Sequence, residues 1–227
     1  MAERYSATRT YGGVSAAART AERRERLVAA AVDLFGRQGY LETGVKDICH
    51  AAGVTDRYFY ESFHNRAELF AAAFDLAVGE LFAAVAGAVT EVSNDPEAQA
   101  RAAVEAFVRT LADDPGRARL LFVEAVSVGS EAEKHVRASI RRFAELVAAT
   151  ARSHVGAELP EHLVAMAALS LVGAMQVVVL EWLDGNLDAT ADDITSYFVD
   201  MLLLAGSAGD LGPSTGSPRG DEAPSAD

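Results

Sequence analysis

Residues 39–69 read GYLETGVKDICHAAGVTDRYFYESFHNRAEL, and the order of residue types in this stretch decides the fold. Val45, Ile48 and Cys49 fall on one face of a short helix expected over 45–52. Ala51, Ala52 and Gly53 are small enough for a tight turn, and Val54 is placed to plug the core beneath it. Thr55 stands where a second short helix, over 56–62, needs its cap. Asn65 followed three residues later by Glu68 is the signature that opens a longer helix.

Outward from this stretch the pattern stays helical. Leu27, Ala31, Leu34, Phe35 and Gln38 form one helical stripe, and Gly39 follows as a stop. Phe70, Phe74, Ala77, Leu81, Val85 and Ala88 repeat at three- or four-residue steps. Asp95-Pro96 and Asp114-Pro115 each set a capping carboxylate before a proline suited to a first turn. Ser130 with Glu133 and Thr190 with Asp193 are further start signals, and Pro160 opens an apolar run that ends at Gly185. No stretch alternates for long with period two. The expectation is an all-α chain of nine helices, over 20–38, 45–52, 56–62, 66–89, 96–112, 115–128, 131–154, 160–184 and 190–205. Residues 1–18 and 206–227 are poor in apolar side chains and are expected to be a disordered arm and tail.

The chain has 227 residues, 20 Lys+Arg against 33 Asp+Glu, and a net charge of −13. Residues 1–70 hold ten cations and nine anions, whereas 71–227 hold ten and twenty-four, so balances of +1 and −14 make up the total. Any contact with a polyanion therefore belongs to the first third. Cys49 is the single cysteine, which excludes a disulfide framework and any multi-cysteine metal centre, and fits a reducing cytoplasm. Cys49 and His50 are neighbours whose side chains diverge on a helix, so they make no nucleophile–base pair. No two of the five His lie three or four apart, and no Walker loop, dinucleotide glycine pattern or nucleophile elbow occurs. The reading is a non-enzyme with no metal and no cofactor.

Two helices joined by a glycine-containing turn form a helix-turn-helix, whose second helix can enter the major groove of DNA. The residues Arg24–Leu34, Gly39-Tyr40, Thr43, Val45, Asp47-Ile48, Ala52-Gly53-Val54-Thr55, Tyr60, Phe63, Arg66 and Leu69 together resemble the TetR family of one-component bacterial transcriptional regulators. Past residue 75 the resemblance is architectural, with Trp182-Leu183-Asp184-Gly185 ending a helix of the dimer-forming type. It implies a DNA-binding head over 19–65 and a ligand-binding and dimerising body over 66–205. Carried over position by position, it implies backbone contacts from Thr43, Lys46, Thr55, Tyr60 and Arg66, with Arg57 and Tyr58 on the exposed front of the recognition helix as base readers. Arg can pair with guanine. Gly44 departs from the family pattern by lacking a hydroxyl, and Asp56 sets a negative charge near the DNA. Arg19, Arg23, Arg24 and Arg26 either add phosphate contacts or are plain solvent-facing helix.

Residues 163–180 carry no charge. A bilayer span is rejected because small residues, Ser170 and Gln176 interrupt the run and no basic flank follows. A helix apolar all round is instead buried on two sides, one by its own core and one by a second subunit. Ala165, Ala168 and Gly173, with Ile194, Tyr197, Phe198, Met201 and Leu202 on the last helix, are the expected dimer interface. Phe74, Phe107, Leu111, Phe122, Val126, Phe143, Met166 and Met175 are placed either to line an apolar pocket or to pack as plain core. Glu124 and Gln176 lie in apolar runs and each needs a bond, either interhelical or to a ligand. The resulting expectation is a ligand-responsive repressor that binds a near-palindromic double-stranded operator as a dimer and is released by a small-molecule effector. The alternative is a helical ligand-binding or adaptor protein without specific operator binding.

Overall fold

The computed structural model describes residues 16–154 and 160–207, and among them nine helical segments and no strand occur. The first is α1 (Ala16–Gln38), followed by α2 (Val45–Ala52), α3 (Asp56–Ser62), α4 (Arg66–Glu91) and α5 (Pro96–Asp113). Helix α6 is continuous but composite, with α-helical Pro115–Arg119, a π-helical turn Leu120–Glu124 and α-helical Ala125–Val128. Helices α7 (Ser130–His154), α8 (Glu161–Leu183) and α9 (Ala191–Ser207) complete the chain. Helix α1 starts four residues before the expected position and includes Ala16–Ala18, and α9 runs through Ser207. The rest of the expected arm and tail lies outside the described residues.

Four of the helix starts carry the expected capping bonds, those at Asn65, Asp95, Asp114 and Thr190. Asn65 Oδ1 accepts the Glu68 N–H at 2.8 Å, Asp95 Oδ2 that of Ala98 at 2.8 Å, and Asp114 Oδ1 that of Arg117 at 3.0 Å. Asp193 and Thr190 bond reciprocally at the start of α9, which holds the Asp193 carboxyl below the usual carboxylate range, first through the Thr190 hydroxyl.

Helices α1–α3 pack on one another, and α1 rests on α4. Helix α4 threads the molecule, meeting α1 at its beginning and α5 and α7 along its length, and α9 closes over α5 while α7 carries α8. A continuous core joins the two parts, with Phe35, Ile48, Phe59, Phe63, Leu69, Phe70 and Phe74 near the first three helices and Val104, Leu111, Leu120 and Phe198 further on. Tyr40, Phe35 and Phe70 form a ring cluster with centroids 5.4 Å apart, which anchors the end of α1 on α4.

Candidate nucleic-acid interface and ligand cavity

The turn between α2 and α3 is set by Gly53, which takes φ 63°, ψ 39° so that its N–H reaches His50 O at 3.1 Å and the Val54 N–H reaches Cys49 O at 2.9 Å. That backbone conformation is open to glycine at little cost and closes α2. Phe59 and Phe63 are fully buried, so the inner face of α3 is spent on the core. Asp56, Arg57, Tyr60 and Glu61 are left outward, with Tyr60 64% exposed. Arg57 Nε donates to Glu61 Oε1 at 2.9 Å, which uses one of the five N–H donors of the guanidinium. Thr55 sits at the start of α3 and accepts the Tyr58 N–H on its carbonyl at 2.9 Å, but its hydroxyl makes no capping bond. It therefore stands exposed at a helix N-terminus, where a phosphate is favoured. Lys46 is exposed on α2.

Three expected contacts are placed differently. Thr43 is fully buried and its hydroxyl donates to Gly39 O at 2.7 Å, so it braces the loop 39–44 from within and cannot reach a phosphate. Arg66 donates to Thr43 O through one terminal nitrogen and lies 4.3 Å over the Tyr40 ring, so part of its side chain holds that same loop against α4. Tyr58 is half-buried with the Arg23 guanidinium 4.2 Å over its ring. The lead-in arginines are thus partly structural, since Arg24 also stacks 4.8 Å over Phe63. Gly44 makes no side-chain cap, and its N–H donates to the Asp47 carboxylate at 2.9 Å. Asp56 lies against the buried Cys49 thiol, and burial together with that carboxylate pushes the thiol up to about 11.

In the second half, α4, α5, α7, α8 and α9 enclose a cavity of about 340 Å3, within the size range of small-molecule sites. Among the described residues its walls include Val85, Val89, Ala100, Val104, Phe107, Phe143, Val147, Leu171, Met175 and Leu202, and the polar side chains that line it are Gln99 and Thr150. Phe107, Phe143 and Met175 were expected there. Phe74 and Leu111 are instead core, Phe122 is half-buried against that core, and Met166 is 61% exposed on α8. Gln176 is half-buried and does not line the cavity, and the side chain of Val126 lies outside the described ones. Glu124 is at a different place altogether, taken by the Tyr40 N–H and Arg119.

Residues 27–73 match the family model for bacterial regulatory proteins of the TetR family, and residues 93–205 match the tetracyclin repressor-like C-terminal domain. The chain belongs to the TetR family. It is a transcriptional regulator with an N-terminal helix-turn-helix. The HTH-type transcriptional activator FasR of Mycolicibacterium smegmatis is 35% identical over 101 residues, 44% of this chain. That match spans 46% of FasR, about half of its length. Among solved structures, the fatty acid degradation regulator FadR of Bacillus halodurans superposes with a TM-score of 0.65 at 19% identity, covering 86% of this chain and 97% of that one. FadR of Bacillus subtilis, solved in complex with stearoyl-CoA, gives 0.64 at 16% identity, with 81% and 97% covered. These two show the same fold.

Among the described residues of the TetR-family body, α8 and α9 leave an apolar surface open. Leu163, Met166, Leu169, Gly173 and Val177 follow one another along α8 at helical spacing, and Tyr197 and Leu204 are exposed on α9. Among residues expected at a subunit contact, Ala165 and Tyr197 are exposed, and Gly173 and Met201 are half-buried. Ala168, Ile194 and Phe198 are buried within the protomer, because Ala168 packs on Ala144 and Ala148 of α7 and Ile194 and Phe198 join the main core. Leu202 turns into the cavity. Leu163, Leu169 and Val177, which the sequence does not single out, and Met166, expected at the pocket, are exposed on α8. Their signal was the absence of any polar face on α8, which conceals which face turns outward.

Proposed function

We propose that this regulator binds a near-palindromic operator as a homodimer and loses affinity for it when an apolar small molecule fills the cavity. The observation that carries the DNA reading is α3 itself, with Phe59 and Phe63 anchored in the core and Thr55, Arg57 and Tyr60 turned outward. Arg57 reads a guanine, while Thr55, Lys46 and Tyr60 meet the backbone. Residues 19–65 act as the head and 66–205 as the ligand-binding and dimerising body. The open stripe on α8, with Tyr197 and Leu204, meets its own copy in a second protomer, which sets two α3 helices roughly 34–36 Å apart. Binding to the chromosome places the protein in the cytoplasm.

The cavity favours an acyl chain. Its walls are hydrocarbon and its polar side chains are uncharged, so a long apolar tail is buried without stranding a charge. The stearoyl-CoA complex of Bacillus subtilis FadR, a protein of the same fold, supports that class. A ligand preferring the form with displaced heads weakens operator binding by its differential affinity. Release then relieves repression. The name of FasR favours a second reading, in which the bound protein activates its promoter.

Fluorescence anisotropy with duplexes from the DNA upstream of the coding region tests both parts. Arg57→Ala is expected to weaken the best duplex by roughly 5- to 150-fold, as the loss of one guanine contact of about 1–3 kcal/mol dictates. Stearoyl-CoA is expected to release the wild-type complex, and Val104→Trp, which fills the cavity, to abolish that response. Uniform binding to all duplexes with a steep salt slope and no effect of Arg57→Ala supports the adaptor reading instead. In vitro transcription from the bound promoter separates repression from activation.

A further inference from the structure

Glu124 is the most deeply buried carboxylate among the described residues, 5% exposed, yet it lies in neither the cavity nor the DNA face. Its Oε2 accepts the backbone N–H of Tyr40, 84 residues away, at 2.7 Å. Its Oε1 accepts Arg119 Nε at 2.8 Å. The residue ends the π-helical turn Leu120–Glu124, and such a wide turn shifts the register of the side chains that follow it. The opposite wall is shaped to receive the carboxylate. Gly39 takes φ +91° to end α1, and a Cβ there would lie 3.2 Å from both carboxylate oxygens. One turn earlier the backbones of α1 and α6 touch, since a Cβ on Gly36 would stand 2.5 Å from Gly116 O. The loop 39–44 that receives Glu124 also receives Arg66 from α4, and it leads directly into α2. One loop is thereby gripped from two helices of the body at the point where the helix-turn-helix departs.

We propose that Glu124 is a positioning residue for operator binding, whose carboxylate, held by Arg119, docks on the Tyr40 N–H and fixes the loop from which the DNA-reading helices are carried. This rests on the DNA-binding reading and not on the identity of the cavity's ligand. A buried carboxylate with one backbone donor and one guanidinium is a directional, charge-assisted contact, whereas apolar burial alone is non-directional. Arg117 links the same helix to α4 through Glu80 at 2.6 Å, so a shift of α4 relative to α6 acts on this seam.

The test uses the full-length protein and reads operator affinity, amide hydrogen exchange at Tyr40, melting temperature and mass. Glu124→Ala is expected to weaken operator binding at least tenfold and to speed Tyr40 exchange at least tenfold. Glu124→Gln keeps an acceptor oxygen for the Tyr40 N–H and is expected to recover most of both losses. Arg119→Ala, at a half-exposed position, keeps the test alive if Glu124→Ala does not fold, and is expected to weaken binding and protection about threefold. Val108→Ala, in the core of α5, is the control for stability alone: it lowers the melting temperature and leaves operator affinity and Tyr40 exchange unchanged. Folded Glu124→Ala, or Arg119→Ala in its place, binding the operator as the wild type does overturns the proposal, as does an equal loss of affinity in Val108→Ala. If the wild type binds no duplex, the DNA reading fails, and unchanged Tyr40 exchange in the variants then overturns the latch on its own.

Discussion

Helices α4 and α8 are each long and apolar enough to cross a membrane, and the structure treats them in opposite ways. Half of the most apolar stretch of α4 is buried inside the protomer, where α1, α5 and α7 surround it, against 17% for α8. Apolar residues all round a helix therefore state that it must be covered, and leave open what covers it. For α4 the cover is the chain itself. For α8 it is the second copy proposed above.

Substitution on the two helices separates these covers. Phe74→Ala on α4 removes a ring from a closed core and is expected to lower stability by about 3–5 kcal/mol in chemical denaturation. Val177→Glu on α8 leaves the protomer folded and is expected to raise the dimer dissociation constant roughly a hundredfold, because a charge is placed in an apolar contact. Sedimentation at micromolar concentration reads this as a halved mass. An unchanged mass removes α8 from the interface.

The same question of cover sharpens the contrast inside the head. Thr43 and Tyr60 were expected to do similar work on the DNA backbone, yet one is sealed and the other is open. Thr43→Val strands the Gly39 carbonyl and is expected to cost about 1–3 kcal/mol of stability. Tyr60→Ala is expected to change stability by less than about 0.5 kcal/mol while weakening operator binding. Thermal melts beside anisotropy distinguish the two.

The smallest expected effect is at Cys49. Its thiol is raised from 9.0 to about 11 in the folded protein, so folding favours the protonated form. That contribution is complete below about pH 9 and is lost as pH rises toward 11, because the unfolded chain releases its proton first. Cys49→Ala is expected to flatten the fall in stability over that window. An identical alkaline slope in the variant contradicts the assignment.

What was legible follows from range. Asn65, Asp95 and Asp114 cap the helices they precede, because capping is decided within four residues, and the turn at Gly53 is equally local. Thr55 shows the limit of that reasoning, since it occupies the cap position while its hydroxyl stays unused. The Tyr40 partner of Glu124 and the Thr43 partner of Arg66 lie 84 and 23 residues away, and nothing in the neighbouring residues announces them, whereas the Gly39 carbonyl that takes the Thr43 hydroxyl is only four residues off. The need of Glu124 for a bond was readable from its apolar neighbours, but the choice between a ligand and the Tyr40 backbone was made by the packing of α6 on α1. The cavity was hardest to see, because Val104, which lines it, and Leu111, which does not, are both buried aliphatic residues on the same face of α5.

Hydroxyl-radical footprinting of the best upstream duplex tests the central claim most directly. The account predicts two protected patches on one side of the helix, with centres roughly 34–36 Å apart, and their joint disappearance in Arg57→Ala. A single patch, or two patches that survive Arg57→Ala unchanged, contradicts it.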